Sequence, residues 1–108
     1  MEKFKKQVYE VFPIDADFSA VLGTTETLIL ATSTVEAVDK GGTDVSAAVL
    51  ESASKAVITS AATAKASAAL QIVVKAGAVA SGPYTIRFKA VTSLGFKWQV
   101  DVSMTITA

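Results

Sequence analysis

The sequence predicts an all-β fold, a small antiparallel β-sandwich of about seven strands. Apolar and polar side chains alternate through residues 84–91 and again through residues 96–106, and a short glycine-containing loop lies between the two runs. Successive side chains of a strand point to opposite faces, so each run presents one apolar and one polar face. Turn residues recur at short intervals through the rest of the chain, which is typical of a sandwich.

The two alternating runs predict a β-hairpin over residues 84–106. Its loop contains Gly95, which can take the positive φ that a tight connection between antiparallel strands requires. Phe88, Phe96 and Trp98 fall on the predicted apolar face, so we expect them in the core. Tyr84 follows a Gly-Pro pair at the start of the first strand, where a corner tyrosine would bond a neighbouring loop through its hydroxyl.

Five further segments, rich in β-formers, predict the remaining strands: residues 8–14, 27–38, 45–49, 55–60 and 70–75. The apolar face expected within residues 27–38 consists of Ile29, Ala31, Val35 and Ala37. Residues 39–44 and 76–83 have the composition of turns and loops. Residues 60–69 are rich in alanine but lack an apolar stripe, so we expect a polar loop or weak strand junction with at most one helical turn.

The length and composition of the chain predict a single domain. It has 108 residues, of which 51% are hydrophobic and 19% charged, enough for one core of its own. We assign residues 8–108 to this β-sandwich domain and residues 1–7 to a flexible N-terminal segment. Lys3, Lys5 and Lys6 make the segment basic, and we expect them in solvent. Ten basic residues balance ten acidic ones, so the charge does not predict nucleic-acid binding.

The residue types present argue against an enzyme. The chain contains no histidine and no cysteine, which removes the usual proton-transfer group, thiolate nucleophiles and disulfides. Ser52 and Lys55 match the Ser-x-x-Lys pattern of penicillin-recognising enzymes, but the companion motifs are absent and the match is expected by chance. No glycine-rich phosphate-binding motif occurs. We therefore predict no catalytic residues, no cofactor and no metal site.

Four aspartates near turns are the remaining polar candidates. Asp39 and Asp44 flank a Gly-Gly pair, and Asp15 and Asp17 project to the same side of an extended chain. Hydrogen bonds to turn and cap N–H groups are the ordinary role of such residues. Calcium needs several converging oxygens, so a site shared by Asp15, Asp17 and a distant acid stays open as an alternative.

The sequence lacks the pattern of a membrane or secretory segment. Glu10 and Pro13 interrupt the first apolar stretch, so no signal peptide is predicted. No run approaches the roughly 20 apolar residues that cross a bilayer. We therefore expect a protein made in the cytoplasm that does not bind membranes.

Several short motifs, in this order, resemble small proteins encoded among the tail and fibre genes of bacteriophages and prophages. The motifs are Asp17-Phe18-Ser19, residues 22–29, Gly82-Pro83-Tyr84 and Thr92-Ser93-Leu94-Gly95, and with the alternating last strand they extend over most of residues 7–107. Members of that group look like single immunoglobulin-like β-sandwiches, and some are described as fibre–tail adaptors. The resemblance implies an immunoglobulin-like sandwich for this chain.

The same resemblance implies a non-enzymatic structural or tail-fibre adaptor module of a phage or prophage virion, assembled in the bacterial cytoplasm. Its partners would be other tail or virion proteins, or further copies of the chain. Exposed strand edges are a physical means of such docking. The alternative is a bacterial surface or carbohydrate-binding immunoglobulin-like module, which requires aromatic or acidic side chains clustered on an exposed face.

Overall fold

The alternating apolar residues form strands in two sheets, which pack face to face in the computed structural model. The structure describes residues 2–107, and within them there are seven strands. The strands are β1 (Glu2–Gln7), β2 (Phe12–Asp17), β3 (Thr34–Val38), β4 (Leu50–Ile58), β5 (Ala69–Val74), β6 (Tyr84–Val91) and β7 (Lys97–Thr107). Ser19–Val21 and Val79–Ser81 are 3-10 turns, and Ser46–Val49 forms a single turn of α-helix, α1.

The strand order is that of an immunoglobulin-like sandwich. One sheet has four strands in the order β1-β7-β6-β3, and the other has three in the order β2-β5-β4. Neighbouring strands are antiparallel except β1 and β7, which are parallel. β1 and β2 follow each other in the chain but belong to different sheets, so the first connection crosses from one layer to the other. The predicted all-β sandwich is confirmed.

The core lies between the sheets and consists of the inward-facing positions of the strands. These positions in three central strands are Leu70, Ile72 and Val74 of β5, Tyr84, Ile86, Phe88 and Ala90 of β6, and Val102, Met104 and Ile106 of β7. Full burial of one large apolar side chain contributes about 1.5–3 kcal/mol, so these rows account for much of the driving force. Strand β5 confirms the prediction for residues 70–75 to within one residue at each end.

The predicted hairpin over residues 84–106 is also confirmed. β6 and β7 pair in register from Tyr84 opposite Met104 to Val91 opposite Lys97. Gly95 in the connection has φ of +84°, the left-handed conformation that the sequence led us to expect of a glycine there. Among the described residues, no atom other than those of the glycine and its two chain neighbours lies within 4 Å of the position that a Cβ would take, so backbone conformation alone favours glycine.

The expectation of a flexible N-terminal segment is corrected by strand β1. Glu2–Gln7 pairs along its whole length with Val102–Thr107 of β7. The sequence did not predict this strand because a lysine occupies one of its inward positions. Phe4 and Lys6 face inward, while Lys3 and Lys5 face out. Lys6 is only 1% exposed, and its Nζ donates to the carbonyl oxygens of Gln7 (2.9 Å) and Val8 (3.3 Å). Burial lowers the pKa of Lys6, which is not the solvated residue we expected.

Three other strand predictions need correction. Residues 8–14 are divided by a turn, in which the Glu10 N–H donates to the Gln7 carbonyl (3.1 Å), and β2 begins only at Phe12. Only Thr34–Val38 of the segment 27–38 is a strand, so Ala37 is buried as expected while Ile29 and Ala31 lie in a loop. Residues 46–49 form α1 rather than a strand, and β4 starts directly after them, several residues earlier than expected.

The alanine-rich segment 60–69 is a loop, as predicted. It contains successive turns and two non-glycine residues with positive φ, Ala64 at 60° and Ser67 at 52°. The Ser60 N–H donates to the Lys65 carbonyl, and the Ala64 N–H donates to the Ser60 carbonyl, both at 2.9 Å. Small alanine side chains allow the chain to bend closely on itself before β5 starts at Ala69.

Tyr84 is a corner tyrosine, as its place in the sequence predicted. Its ring is buried, 3% exposed, at the start of β6. Its hydroxyl oxygen accepts a hydrogen bond of 3.0 Å from the Ala78 N–H in the loop before the strand. The bond holds the connection between β5 and β6 against the end of the sandwich.

We predict that Tyr84→Phe lowers the free energy of unfolding by about 1 kcal/mol, because it leaves the Ala78 N–H without its acceptor while keeping the ring. Urea titration followed by circular dichroism measures the change. Tyr9→Phe is the matched control, since Tyr9 is 94% exposed and should tolerate the loss of its hydroxyl. Equal stability of the two variants would contradict a structural role for the Tyr84 hydroxyl.

Candidate functional site

The β6–β7 hairpin carries three exposed apolar side chains at its end, which we call the hairpin tip: Leu94, Phe96 and Trp98. Their exposed fractions are 66%, 57% and 42%. Phe88 is fully buried as predicted, but the expectation that Phe96 and Trp98 pack inside is wrong. A run of large exposed apolar residues on one hairpin is the kind of surface that marks an interaction site.

The hairpin tip is exposed because β7 extends beyond the ends of β2 and β5, two strands of the other sheet. β7 has eleven residues, whereas β2 and β5 have six each. Val100 is half-buried and lines a shallow cleft with Asp17, the last residue of β2. Trp98 lies on the same face of β7 as Val100 but two residues further along, where β2 has ended. Trp98 thus lies on the inward face, as the alternation of side chains predicts, but within residues 2–107 no strand of the second sheet covers it.

Thr92 fixes the backbone of the hairpin tip. It is 2% exposed, and its hydroxyl oxygen accepts hydrogen bonds from the N–H groups of Leu94 (3.3 Å) and Phe96 (3.2 Å). The Thr92 N–H in turn donates to the Phe96 carbonyl at 2.9 Å. The tip is therefore a closed turn around one buried threonine.

The loop before β3 supports the same turn from the side. Leu28 is buried and bridges to Thr92, and Thr27 exchanges hydrogen bonds with Ser93: its N–H donates to the Ser93 hydroxyl (3.1 Å) and its carbonyl accepts from the Ser93 N–H (2.8 Å). Glu26 is also buried in this loop. The Thr92 hydroxyl, followed by the Gly23 N–H, lowers the pKa of the Glu26 carboxyl. The Glu26 Oε1 atom accepts from the Gly23 N–H at 2.9 Å within this loop.

Next to the hairpin tip, β7 has an unpaired edge, which we call the open edge: residues 97–101. β1 pairs only with Val102–Thr107, so within residues 2–107 no strand lies beside the open edge opposite β6. Because Thr92 and Phe96 form a hydrogen-bonded position and such positions alternate along an antiparallel ladder, Trp98 and Val100 direct their N–H and C=O groups toward β6. The N–H and C=O groups of Lys97, Gln99 and Asp101 therefore point outward from the sheet.

The outer face of the same sheet is polar and carries a ladder of charges. Glu36, Arg87 and Asp101 lie opposite one another on β3, β6 and β7. Arg87 is 4.0 Å from Glu36 and 3.9 Å from Asp101, and Lys89 is 2.8 Å from Glu36. Partly exposed pairs of this kind contribute little each to stability, at most about 1 kcal/mol. This face is therefore charged, whereas the hairpin tip at its end is apolar.

The aspartates singled out in the sequence make local hydrogen bonds. Asp39 accepts from the N–H groups of Gly41 (2.9 Å) and Thr43 (3.0 Å), which confirms its turn role. Asp44 accepts from the N–H (2.9 Å) and hydroxyl (2.7 Å) of Ser46 at the start of α1, and these bonds lower the pKa of Asp44. No Asp, Glu, His or Cys side chains in the described residues gather in threes where they would hold a metal ion.

Asp17 has both carboxylate oxygens engaged, whereas its neighbour Asp15 is exposed. One Asp17 oxygen accepts from the Ser19 N–H (2.9 Å), and the other accepts from the hydroxyl of buried Ser60. The Ser60 hydroxyl is the main cause that lowers the pKa of Asp17, followed by the Ser19 N–H. The two aspartates therefore lie on one strand without forming the converging oxygens that calcium requires.

The two residues of the Ser-x-x-Lys match both lie on β4. Ser52 is exposed on β4. The Nζ atom of Lys55 donates to the Ser33 carbonyl oxygen at 2.7 Å, which joins β4 to the segment before β3. The lysine thus has a structural role.

We predict that Thr92→Val loosens the hairpin tip without unfolding the sandwich. The substitution keeps the shape but removes the acceptor of the Leu94 and Phe96 N–H groups, so the free energy of unfolding should fall by about 1 kcal/mol. Amide hydrogen exchange of Leu94 and Phe96 should accelerate more than that of the central strands. Thr85→Val on β6, where the threonine faces outward, serves as the matched control. Unchanged exchange at the tip would contradict the role of Thr92.

We predict that the lowered pKa of Asp17 stabilises the fold at neutral pH and that this contribution is lost in acid. A carboxyl whose pKa is lower in the folded state stabilises the fold above its unfolded pKa, about 3.9, and this contribution disappears as pH falls through the folded value. Asp17→Asn should therefore reduce stability at neutral pH and flatten its decline below about pH 4. Asp15→Asn is the matched control, because Asp15 is exposed on the same strand. Urea midpoints measured across pH give the comparison, and identical profiles for all three chains would oppose this role.

Within residues 2–107, no helix has the length and apolar character needed to cross a membrane. Comparisons of the sequence with models of protein families and with curated proteins found no match to either.

Proposed function

We propose that the chain is a non-enzymatic protein-docking module that binds its partner through the hairpin tip, and that it serves as a structural or tail-fibre adaptor component of a phage or prophage virion. The observation that carries the docking role is the exposure of three large apolar residues of one hairpin, Leu94, Phe96 and Trp98. Large apolar and aromatic residues supply most of the binding energy at protein interfaces.

The rigidity of the hairpin tip supports this role. Buried Thr92 and the hydrogen bonds between Thr27 and Ser93 hold the turn in one conformation before any partner arrives. A surface that is already ordered loses less conformational entropy when it binds, which favours affinity. The virion context, by contrast, is supported by the resemblance of the sequence motifs alone.

A second function is favoured by the same exposed rings. Aromatic side chains on a surface can stack on the apolar faces of sugars, and the carbohydrate-binding alternative required such a cluster. Phe96 and Trp98 are two exposed aromatic residues of one hairpin, since both lie outside the core. A glycan array distinguishes the two functions: a saturable signal for one class of sugar favours the surface module over the virion component.

The docking role is tested by binding to the proteins encoded beside this chain in its genome. The tagged chain is expressed with each of them in turn, and we expect one or more to co-purify. The double substitution Leu94→Ala/Phe96→Ala should weaken that complex by about 30-fold or more, as expected for aromatic anchors. Tyr9→Ala is the matched control, because Tyr9 is exposed in the turn at the opposite end of β7. A chain that binds none of its neighbours, or that binds equally well without Leu94 and Phe96, would contradict the proposal.

A further inference from the structure

We propose that copies of the chain associate end to end, with the hairpin tip of one copy seated in a cleft at the turn between β1 and β2 of the next. We call this second surface the turn cleft, and it is lined by Tyr9, Glu10, Val11 and Phe12. Because the contact joins two different surfaces, every added copy again leaves one of each free, and association continues in one direction. The inference goes beyond the proposed function, since a chain that binds no other protein can still bind its own copies.

The hairpin tip and the turn cleft lie at opposite ends of the sandwich. β7 begins at Lys97, within the tip, and ends at Thr107, which pairs with Gln7, the last residue of β1 before the turn. The length of β7 therefore separates the two surfaces by roughly 33 Å at the rise of an extended strand. The molecule is 43 Å long on its longest axis. The two surfaces cannot meet within one copy, whereas two copies placed end to end bring them together.

The turn cleft is apolar, like the hairpin tip. Tyr9 is 94% and Val11 62% exposed, and Phe12 is half-buried against the ring of Phe4, with the two centroids 6.0 Å apart. The tip has the opposite shape, a projecting turn on which Leu94 is the most exposed apolar residue. A projecting apolar side chain in an open apolar cleft removes both surfaces from water, which stabilises the contact by about 25 cal/mol per Å² of apolar area.

The hairpin tip has a positive charge among its apolar residues. Lys97 lies between Phe96 and Trp98 in sequence, and its side chain is exposed. None of the ion pairs within residues 2–107 includes Lys97, whereas Lys89 on the neighbouring strand is 2.8 Å from Glu36. The tip therefore fits a surface that has an acidic residue among apolar ones.

The turn cleft has this composition, with Glu10 between Tyr9 and Val11. A carboxylate oxygen of Glu10 accepts from the Gln7 N–H at 2.7 Å, which holds the acid at the turn. Lys6 also attracts Glu10, but its ammonium group is buried and donates to two backbone carbonyls, so Glu10 is the charge that a second copy meets. In the end-to-end contact this carboxylate faces Lys97 while the apolar residues cover one another, and such complementarity selects the orientation of a partner.

The same charges disfavour symmetric association at either end. Two hairpin tips face to face would place Lys97 near its own copy, and two turn clefts would do the same with Glu10. Both surfaces are also ordered before they meet. Thr92 closes the tip, and the hydrogen bond of 3.1 Å from the Glu10 N–H to the Gln7 carbonyl closes the turn. Association therefore costs little conformational entropy on either side.

The first test blocks one end at a time. In sedimentation equilibrium the 11.2 kDa chain should grow beyond the mass of a dimer as concentration rises, and the variants Leu94→Ala/Phe96→Ala and Tyr9→Ala/Val11→Ala should each stay monomeric. A mixture of the two variants should form a dimer and nothing larger, because it contains one intact tip and one intact cleft. Val21→Ala is the matched control, since Val21 is 41% exposed outside both surfaces. A chain that is monomeric at every concentration, or a mixture that does not dimerise, would overturn the inference.

Charge reversals test the pairing of Lys97 with Glu10. Lys97→Glu and Glu10→Lys should each weaken self-association by about fivefold, because each places like charges together at every contact. The double variant, with both reversals in one chain, should associate like the original, since each contact again joins opposite charges. Lys40→Glu is the matched control, because Lys40 is exposed in the turn after β3. Association that is insensitive to both single reversals, or a double variant weaker than either, would contradict this contact.

The proposed function and this inference fail separately. Tyr9→Ala/Val11→Ala should abolish self-association and leave binding of the partner protein intact, because that variant keeps its hairpin tip. An excess of the partner protein should dissociate the assemblies of the original chain, since both compete for the tip. A chain that binds a partner but never associates with itself would contradict the inference alone. Self-association without any partner would contradict the proposed function alone.

Discussion

The pairing of β6 with β7 is the interaction on which the rest of the structure depends. These two strands are the central pair of the four-stranded sheet, so β3 adds to one side of them and β1 to the other. Their inward rows, from Ile86 and Phe88 to Met104 and Ile106, also form the middle of the core against β5. The short connection through Gly95 makes this pairing local in sequence, which lowers the entropic cost of bringing the strands together.

The surface features follow from the same hairpin. Because β7 is longer than the strands that face it, the residues nearest the turn leave the core and display Phe96 and Trp98. Because β1 joins β7 only from Val102 onward, no strand among residues 2–107 pairs with the other side of the same stretch. Apolar exposure and an open edge therefore occur together for one reason, the overhang of a single strand. A protein that keeps such an overhang rigid with buried Thr92 has a surface suited to assembly.

Local pattern was sufficient for much of the fold and for little of the site. The hairpin, β5, the loop at residues 60–69 and the hydrogen bond of Tyr84 all depend on neighbours in sequence, and the sequence predicted them correctly. Lys6 shows where such reasoning stops: a lysine in a basic N-terminal segment looks exposed, yet its side chain is buried in a strand that pairs with β7. Phe96 and Trp98 show the reverse, since a correct alternation did not reveal that the covering strand ends at Asp17. The one sign of this in the sequence is that the last alternating run, residues 96–106, is longer than the predicted strands 8–14 and 70–75.

What the sequence by itself determined is the alternation of side chains and the turns that separate them, because the two faces of a strand and the positive φ of a glycine are properties of a few consecutive residues. It also determined that histidine and cysteine chemistry is absent. Only the tertiary structure decided which inward-facing residues are actually covered, and which edge of β7 is left open. Coverage depends on where strands distant in the chain begin and end relative to one another, and that relation is set by the packing of the two sheets rather than by any local pattern.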